Sequence, residues 1–122
     1  DPALSDLYDE SVRALVGESA IGRMPHRASS TDMGDISLIM PAMQSYVGGA
    51  SGRTHSDEFE ITDWEFDVVE AGKALASTVI DLLSDNASNA RKITDNFEAP
   101  LTIPEYLDTL RGFRRTETWD GH

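Results

Sequence analysis

Apolar residues at helical spacing open the chain. Leu4, Leu7, Tyr8, Val12 and Leu15 recur every three or four positions, which puts them on one face of a helix. Asp1 is an N-cap residue, Pro2 suits the first helical position, and Gly17 suits the close. The pattern predicts a helix over residues 2–16. Residues 18–35 lose the period, and Gly22, Pro25, Ser29, Ser30 and Gly34 mark a loop. Ile36, Leu38, Ile39 and Met40 form a short apolar run ended by Pro41, which predicts a buried strand. Met43, Ser45, Tyr46 and Val47 predict a second strand, closed by Gly48 and Gly49. Residues 50–60 read as a second loop. Thr62, with Glu65 three residues on, forms a capping box that opens the strongest helical pattern. Trp64, Val68, Ala71, Leu75, Val79, Leu82 and Leu83 supply its apolar face, and Asp85-Asn86 stop it. A shorter helix is expected over residues 87–96. A second capping box, Thr102 with Glu105, opens a last helix that carries Tyr106, Leu107 and Leu110 and stops at Gly112. The tail from Arg114 has no pattern and is expected to fray. The sum is an α/β or α+β chain, a few short strands flanked by helices.

Charge narrows the class of partner. Lys plus Arg number 10 against 22 Asp plus Glu, a formal charge of −12 over 122 residues. Nucleic acid is excluded as an ordinary partner and an anionic membrane surface is disfavoured, because both are bound by clustered Lys and Arg. At a mean hydropathy of −0.35, no run approaches the roughly 20 apolar residues of a spanning helix, and cytoplasmic location is the default. Asp outnumbers Glu, 13 to 9, and Lys73 and Lys92 are the only lysines. Such a surface suits a protein working in high salt, where hydrated carboxylates maintain solubility. It equally suits an ordinary acidic protein from a GC-rich genome. Cysteine is absent, so there is neither a disulfide framework nor a thiolate metal site. Metal chemistry would rest on His, Asp and Glu, and the histidines are only His26, His55 and His122.

Three clusters offer chemistry. Residues 29–37, which include Thr31, Asp32, Asp35 and Ser37, pack hydroxyls and two carboxylates into a Gly-containing loop ahead of the predicted strand. Loops at strand ends are where α/β folds place ligand contacts, and the same residue types also cap turns. His55, among Ser56, Asp57 and Glu58, offers a neutral imidazole to a metal. It is a single ligand, whereas a catalytic zinc site takes three from protein. His26 lies in an Arg-rich loop, and His122 is the last residue. Arg111, Arg114 and Arg115 either clamp an anion or are solvated cations that favour a helix C-terminus.

The run Ser30-Thr31-Asp32-Met33-Gly34-Asp35-Ile36-Ser37 is followed in order by Pro41, by Tyr46-Val47-Gly48-Gly49 and by His55-Ser56-Asp57-Glu58-Phe59. Together these resemble the C-terminal part of M20-family metallopeptidases. The nearest branch is the amidohydrolases related to aminobenzoyl-glutamate utilisation protein B and peptidase M20 domain-containing protein 2. Gly72-Lys73-Ala74-Leu75-Ala76 and Asp81-Leu82-Leu83 resemble that branch's closing helix. The resemblance spans residues 1–97 and only loosely 98–122.

It implies the C-terminal portion of a zinc-exopeptidase-like catalytic α/β domain, with two zinc ions as cofactors. In that family the metals activate a bridging water, a Glu is the general base, and an amide carbonyl is attacked. By the same resemblance His55 is a metal ligand, and Thr31, Asp32 and Ser37 belong to a loop that shapes the active site or contacts substrate. The family's His-x-Asp motif, bridging Asp and Glu-Glu pair are not in this sequence, so no catalytic base lies within the chain. The expectation is therefore a piece of a longer enzyme: residues 1–97 from the catalytic domain, residues 98–122 a closing helix and frayed tail. Its partners would be a small amide substrate and the remainder of the domain. Unpaired edges and apolar faces would make it self-associate. The alternative is a non-catalytic binding or assembly module in which His55 and the Ser-Thr-Asp loop are structural.

Overall fold

A computed structural model describes residues 1–22, 24 and 30–121. His26, Pro25, Arg23, Arg27, Ser29 and His122 lie outside the described residues. In order, the elements are α1 (Pro2–Val16), a single 3₁₀ turn (Glu18–Ala20), α2 (Asp32–Ile36), β1 (Ala50–Ser51), β2 (Glu60–Ile61), a π-helical stretch (Glu65–Glu70), α3 (Ala71–Asn96) and α4 (Ile103–Phe113). The fold is α+β and mostly helical, with two short antiparallel strands. Among the described residues no helix is long and apolar enough to cross a membrane.

Local chemistry explains the helix ends. The Asp1 carboxylate accepts the Leu4 N–H at 2.9 Å, with Pro2 in the first turn. At the other end the Gly17 N–H closes on Arg13 O at 3.1 Å. At α4 the expected capping box is complete: Thr102 Oγ1 accepts the Glu105 N–H, and the Glu105 carboxylate accepts the Thr102 N–H at 2.8 Å. α3 breaks where Asp85-Asn86 predict it. Ser84 is extended, and Asp85, Asn86 and Ala87 take left-handed angles, φ 48° to 57°, a region that Asp and Asn tolerate best. Asn89 Nδ2 donates to Asp81 O across the break at 3.1 Å.

The centre of the fold is the packing of α1 on α3. Tyr8 and Ser11 of α1 are buried against the side of α3 that carries Ala74 and Thr78. Thr78 Oγ1 donates to Ala74 O at 2.8 Å and lies 3.3 Å from Ser11 Oγ, which in turn reaches Asp81 Oδ2 at 3.2 Å. Small side chains here let the two backbones approach. The buried face of α3 is therefore not the one its apolar pattern predicts: Leu75, Val79 and Leu83 point away from α1 and are half or more exposed.

Three further expectations are corrected. Residues 36–40 are not a strand: their N–H groups reach back three or four residues, Ser37 to Met33 O at 3.0 Å and Met40 to Ile36 O at 3.1 Å, so they continue the turns of α2. Residues 43–47 are extended in burial pattern, half-buried and exposed in alternation, yet residues 43–48 make no backbone hydrogen bond among the described residues. A strand without a neighbour gains no ladder, and this run has none. Finally, Thr62 and Glu65 form no capping box. The Thr62 hydroxyl and N–H both donate to Gly49 O, at 3.0 and 2.8 Å, and Asp63 takes over the cap by accepting the Phe66 N–H at 3.0 Å.

The accessible surface is 9641 Å². A compact monomer of this mass shows roughly 6,500 Å², so this chain leaves about half as much again uncovered.

Candidate functional site

His55 stands at the end of a hairpin that replaces the predicted loop. Ala50 pairs with Ile61 and Ser51 with Glu60. Ser56 ties the connection together: its N–H and Oγ both donate to Arg53 O, at 3.1 and 2.7 Å, and its Oγ accepts the Glu58 N–H at 3.3 Å. Gly52 makes the tight closure possible. At φ +81° a Cβ there would lie 2.0 Å from Glu58 O. Gly49 fixes the hairpin's base, its carbonyl accepting from both Thr62 and Asp63.

At the tip, His55 is exposed and holds φ 64°. A non-glycine residue in that region costs about 1–2 kcal/mol, which the Ser56 bonds on either side sustain. Among the described residues no hydrogen bond or ion pair engages the imidazole. Asp57 and Glu58 follow it in the same turn, also exposed.

The second predicted element, residues 30–37, is a one-turn helix rather than a loop. Thr31 is its N-cap, with Oγ1 accepting the Met33 N–H at 3.4 Å. Ser37 Oγ donates to Gly34 O at 2.7 Å. Both hydroxyls are thus engaged in the helix's own backbone, which is the capping role these residue types also predict. Asp32 is exposed in the first turn, where the helix dipole favours a carboxylate, and it makes no hydrogen bond among the described residues.

These residues are not brought together. No hydrogen bond or ion pair joins Thr31, Asp32 or Ser37 to His55, and α2 and the hairpin are not among the extensively packed pairs of elements. Among the described residues no group of three or more His, Asp or Glu side chains could hold a metal ion. The donor set present therefore does not fit a zinc centre; His55 offers one nitrogen. Of the basic cluster, Arg111 pairs with Asp108 at 2.7 Å and Arg115 with Glu117, as solvated cations do.

Sequence reasoning did not anticipate a small cavity of about 110 Å³ between α1 and α3. Its lining includes Tyr8, Val12, Val47, Phe66 and Ala74, the carboxylates Asp9 and Glu70, and none of the predicted site residues. Its walls come from four separate stretches of chain, so no local pattern announces it. Comparison with family models, with curated proteins and with solved structures returned no match to this chain.

Proposed function

We propose that this chain is the C-terminal portion of an M20-type, zinc-dependent amidohydrolase, to which it contributes one metal ligand, His55. The observation that carries the reading is the presentation of that side chain: an exposed imidazole, unengaged by hydrogen bond or ion pair, held at a positive φ on the tip of a closed hairpin. Backbone strain at a solvent-facing histidine is the kind of outlier from which a functional role is inferred. The surface is consistent with it. Residues 36–52 contain no charged side chain in a chain that is 26% charged, and within that run residues 43–48 make no backbone hydrogen bond among the described residues. An uncharged run with unpaired backbone is what proteins avoid leaving open, so the rest of the domain is its proposed neighbour. That remainder supplies the other ligands and the general base. The substrate class is an N-acyl amino acid or a dipeptide-like amide, and the compartment is the cytoplasm. In the α2 turn Asp32 is the residue left to meet substrate, because Thr31 and Ser37 are occupied in capping.

A second reading is a binding or assembly module without catalysis, favoured by that same engagement of Thr31 and Ser37. The reading frame upstream of Asp1 separates the two. An in-frame His-x-Asp and Glu-Glu segment is expected, and in the protein so encoded His55→Ala loses both bound zinc and amide hydrolysis. A start codon directly before Asp1, or full activity in His55→Ala, overturns the enzyme reading.

A further inference from the structure

The cavity between α1 and α3 has more than apolar walls. Three aromatic residues line it: Tyr8 of α1, Tyr46 of the segment before β1 and Phe66 of the π-helical stretch. Two carboxylates, Asp9 and Glu70, line it with them, and among the described residues no basic side chain does. Phe66 and Glu70 both come from the π-helical stretch, a rare backbone form that frequently marks functional sites. Tyr46 and Gly48 are exposed, so the cavity opens to solvent at that edge, whereas Tyr8 and Ala74 are buried. A concave, mostly apolar site with a few convergent polar groups is where a small ligand binds.

Size and charge together specify the occupant. A cavity of about 150 Å³ holds benzene, so one of about 110 Å³ takes a group of roughly four or five non-hydrogen atoms. Glu70 holds Lys73 at 2.6 Å, and Lys73 also lies 3.9 Å from Glu65. One cation shared between two carboxylates leaves that trio negative. The net charge of −12 adds a field of the same sign. An anionic group is therefore repelled, and a neutral apolar group gains nothing from the acids. A compact cation gains from both kinds of wall, because aromatic faces attract it as carboxylates do.

We propose that this cavity binds a small organic ammonium ion, its head group among Tyr8, Phe66 and the two carboxylates and its remainder directed past Tyr46 to solvent. The site shares no residue with the His55 hairpin or with α2, so it stands whether or not the chain belongs to an amidohydrolase.

Choline and its uncharged carbon isostere, 3,3-dimethylbutan-1-ol, share one shape and differ in charge, which makes them the test pair. Each is titrated into the chain and followed by backbone amide chemical shifts, with ionic strength held constant by sodium chloride. Choline is expected to shift the amides of Gly48, Phe66 and Ala74 saturably, with a dissociation constant of about a millimolar. It should bind at least about tenfold more tightly than the alcohol. Glu70→Gln keeps the side chain's shape, and should weaken choline by at least about threefold while leaving the alcohol unchanged. Phe66→Leu keeps an apolar wall, and should weaken choline more than the alcohol. Both positions are only half-buried, so the far-UV circular dichroism of the variants should match that of the parent chain. No saturable shift with choline overturns the proposal. So do equal affinities for choline and the alcohol, shifts confined to residues outside the cavity, or a Glu70→Gln chain that binds choline as tightly as the parent.

Discussion

Replacing Gly52 by alanine should open the His55 hairpin and leave the rest of the protein folded. An alanine Cβ at position 52 would lie 2.0 Å from Glu58 O, 2.5 Å from Glu58 C and 2.9 Å from Phe59 N. Normal contact with a carbonyl oxygen exceeds 3 Å, so the two arms must separate by more than an ångström. All the obstructing atoms are backbone, and no rotamer change relieves them. A separation that large breaks the neighbouring pairing of Ser51 with Glu60 and then of Ala50 with Ile61. The left-handed backbone adds about 1–2 kcal/mol. The penalty is nevertheless bounded, because a strained element escapes by unfolding locally. A two-residue ladder holds a few hydrogen bonds at about 1 kcal/mol net each, and the hairpin packs extensively on no other element. Global stability should fall by less than about 1 kcal/mol, a shift in melting temperature of a few degrees at most. The backbone amide and Cα resonances of His55, now set by its positive φ, should move to random-coil positions, and amide exchange at Glu60 and Ile61 should become fast. Cooperative loss of the helical signal would refute the reasoning by showing the hairpin coupled to the α1–α3 core. An unchanged His55 spectrum would show that the backbone does not close as described.

The capping box of α4 makes a pH prediction. Hydrogen bonds from the Thr102 side chain and backbone hold the Glu105 carboxyl below its usual range. A group depressed on folding stabilises above its unfolded pKa and loses that contribution as pH falls through the folded value. Protection of the first-turn amides of α4 should therefore drop on acidification below the ordinary carboxylate range, and Glu105→Gln should remove that dependence. At the α1–α3 contact, Thr78→Val keeps the shape but loses a hydroxyl already satisfied by Ala74 O, so it should cost about 1 kcal/mol. Ser11→Ala should cost about as much, and the double variant less than the sum of the two, because the hydroxyls lie in contact at 3.3 Å. Strict additivity in urea titrations would show that the contact contributes nothing.

Much of this fold is legible locally. The Asp1-Pro2 start of α1 and the Thr102–Glu105 box of α4 each depend on side chains within four residues of the backbone they satisfy, and α3 breaks at Asp85-Asn86, residue types that tolerate left-handed angles. The double meaning of Thr31 and Ser37, ligand contacts or caps, was also legible, and their hydroxyls are engaged as caps. What the tertiary structure decided is non-local. Thr62 is a sound capping residue, but Gly49 O, 13 positions earlier, claims its hydroxyl, and Asp63 caps instead. Residues 36–40 have strand composition, yet among the described residues no neighbouring strand is present to reward extension, so the turns begun at Thr31 continue through them. β1 and β2 form inside a predicted loop because closure at Gly52 and the Ser56 turn bring Ala50 to Ile61. Periodicity showed that α3 has an apolar face but not which face is buried. Close approach of α1 selects the small Ala74 and Thr78, and Leu75, Val79 and Leu83 are left in solvent. Capping is settled within a few residues of chain, whereas pairing and the choice of buried face depend on which distant surface arrives there.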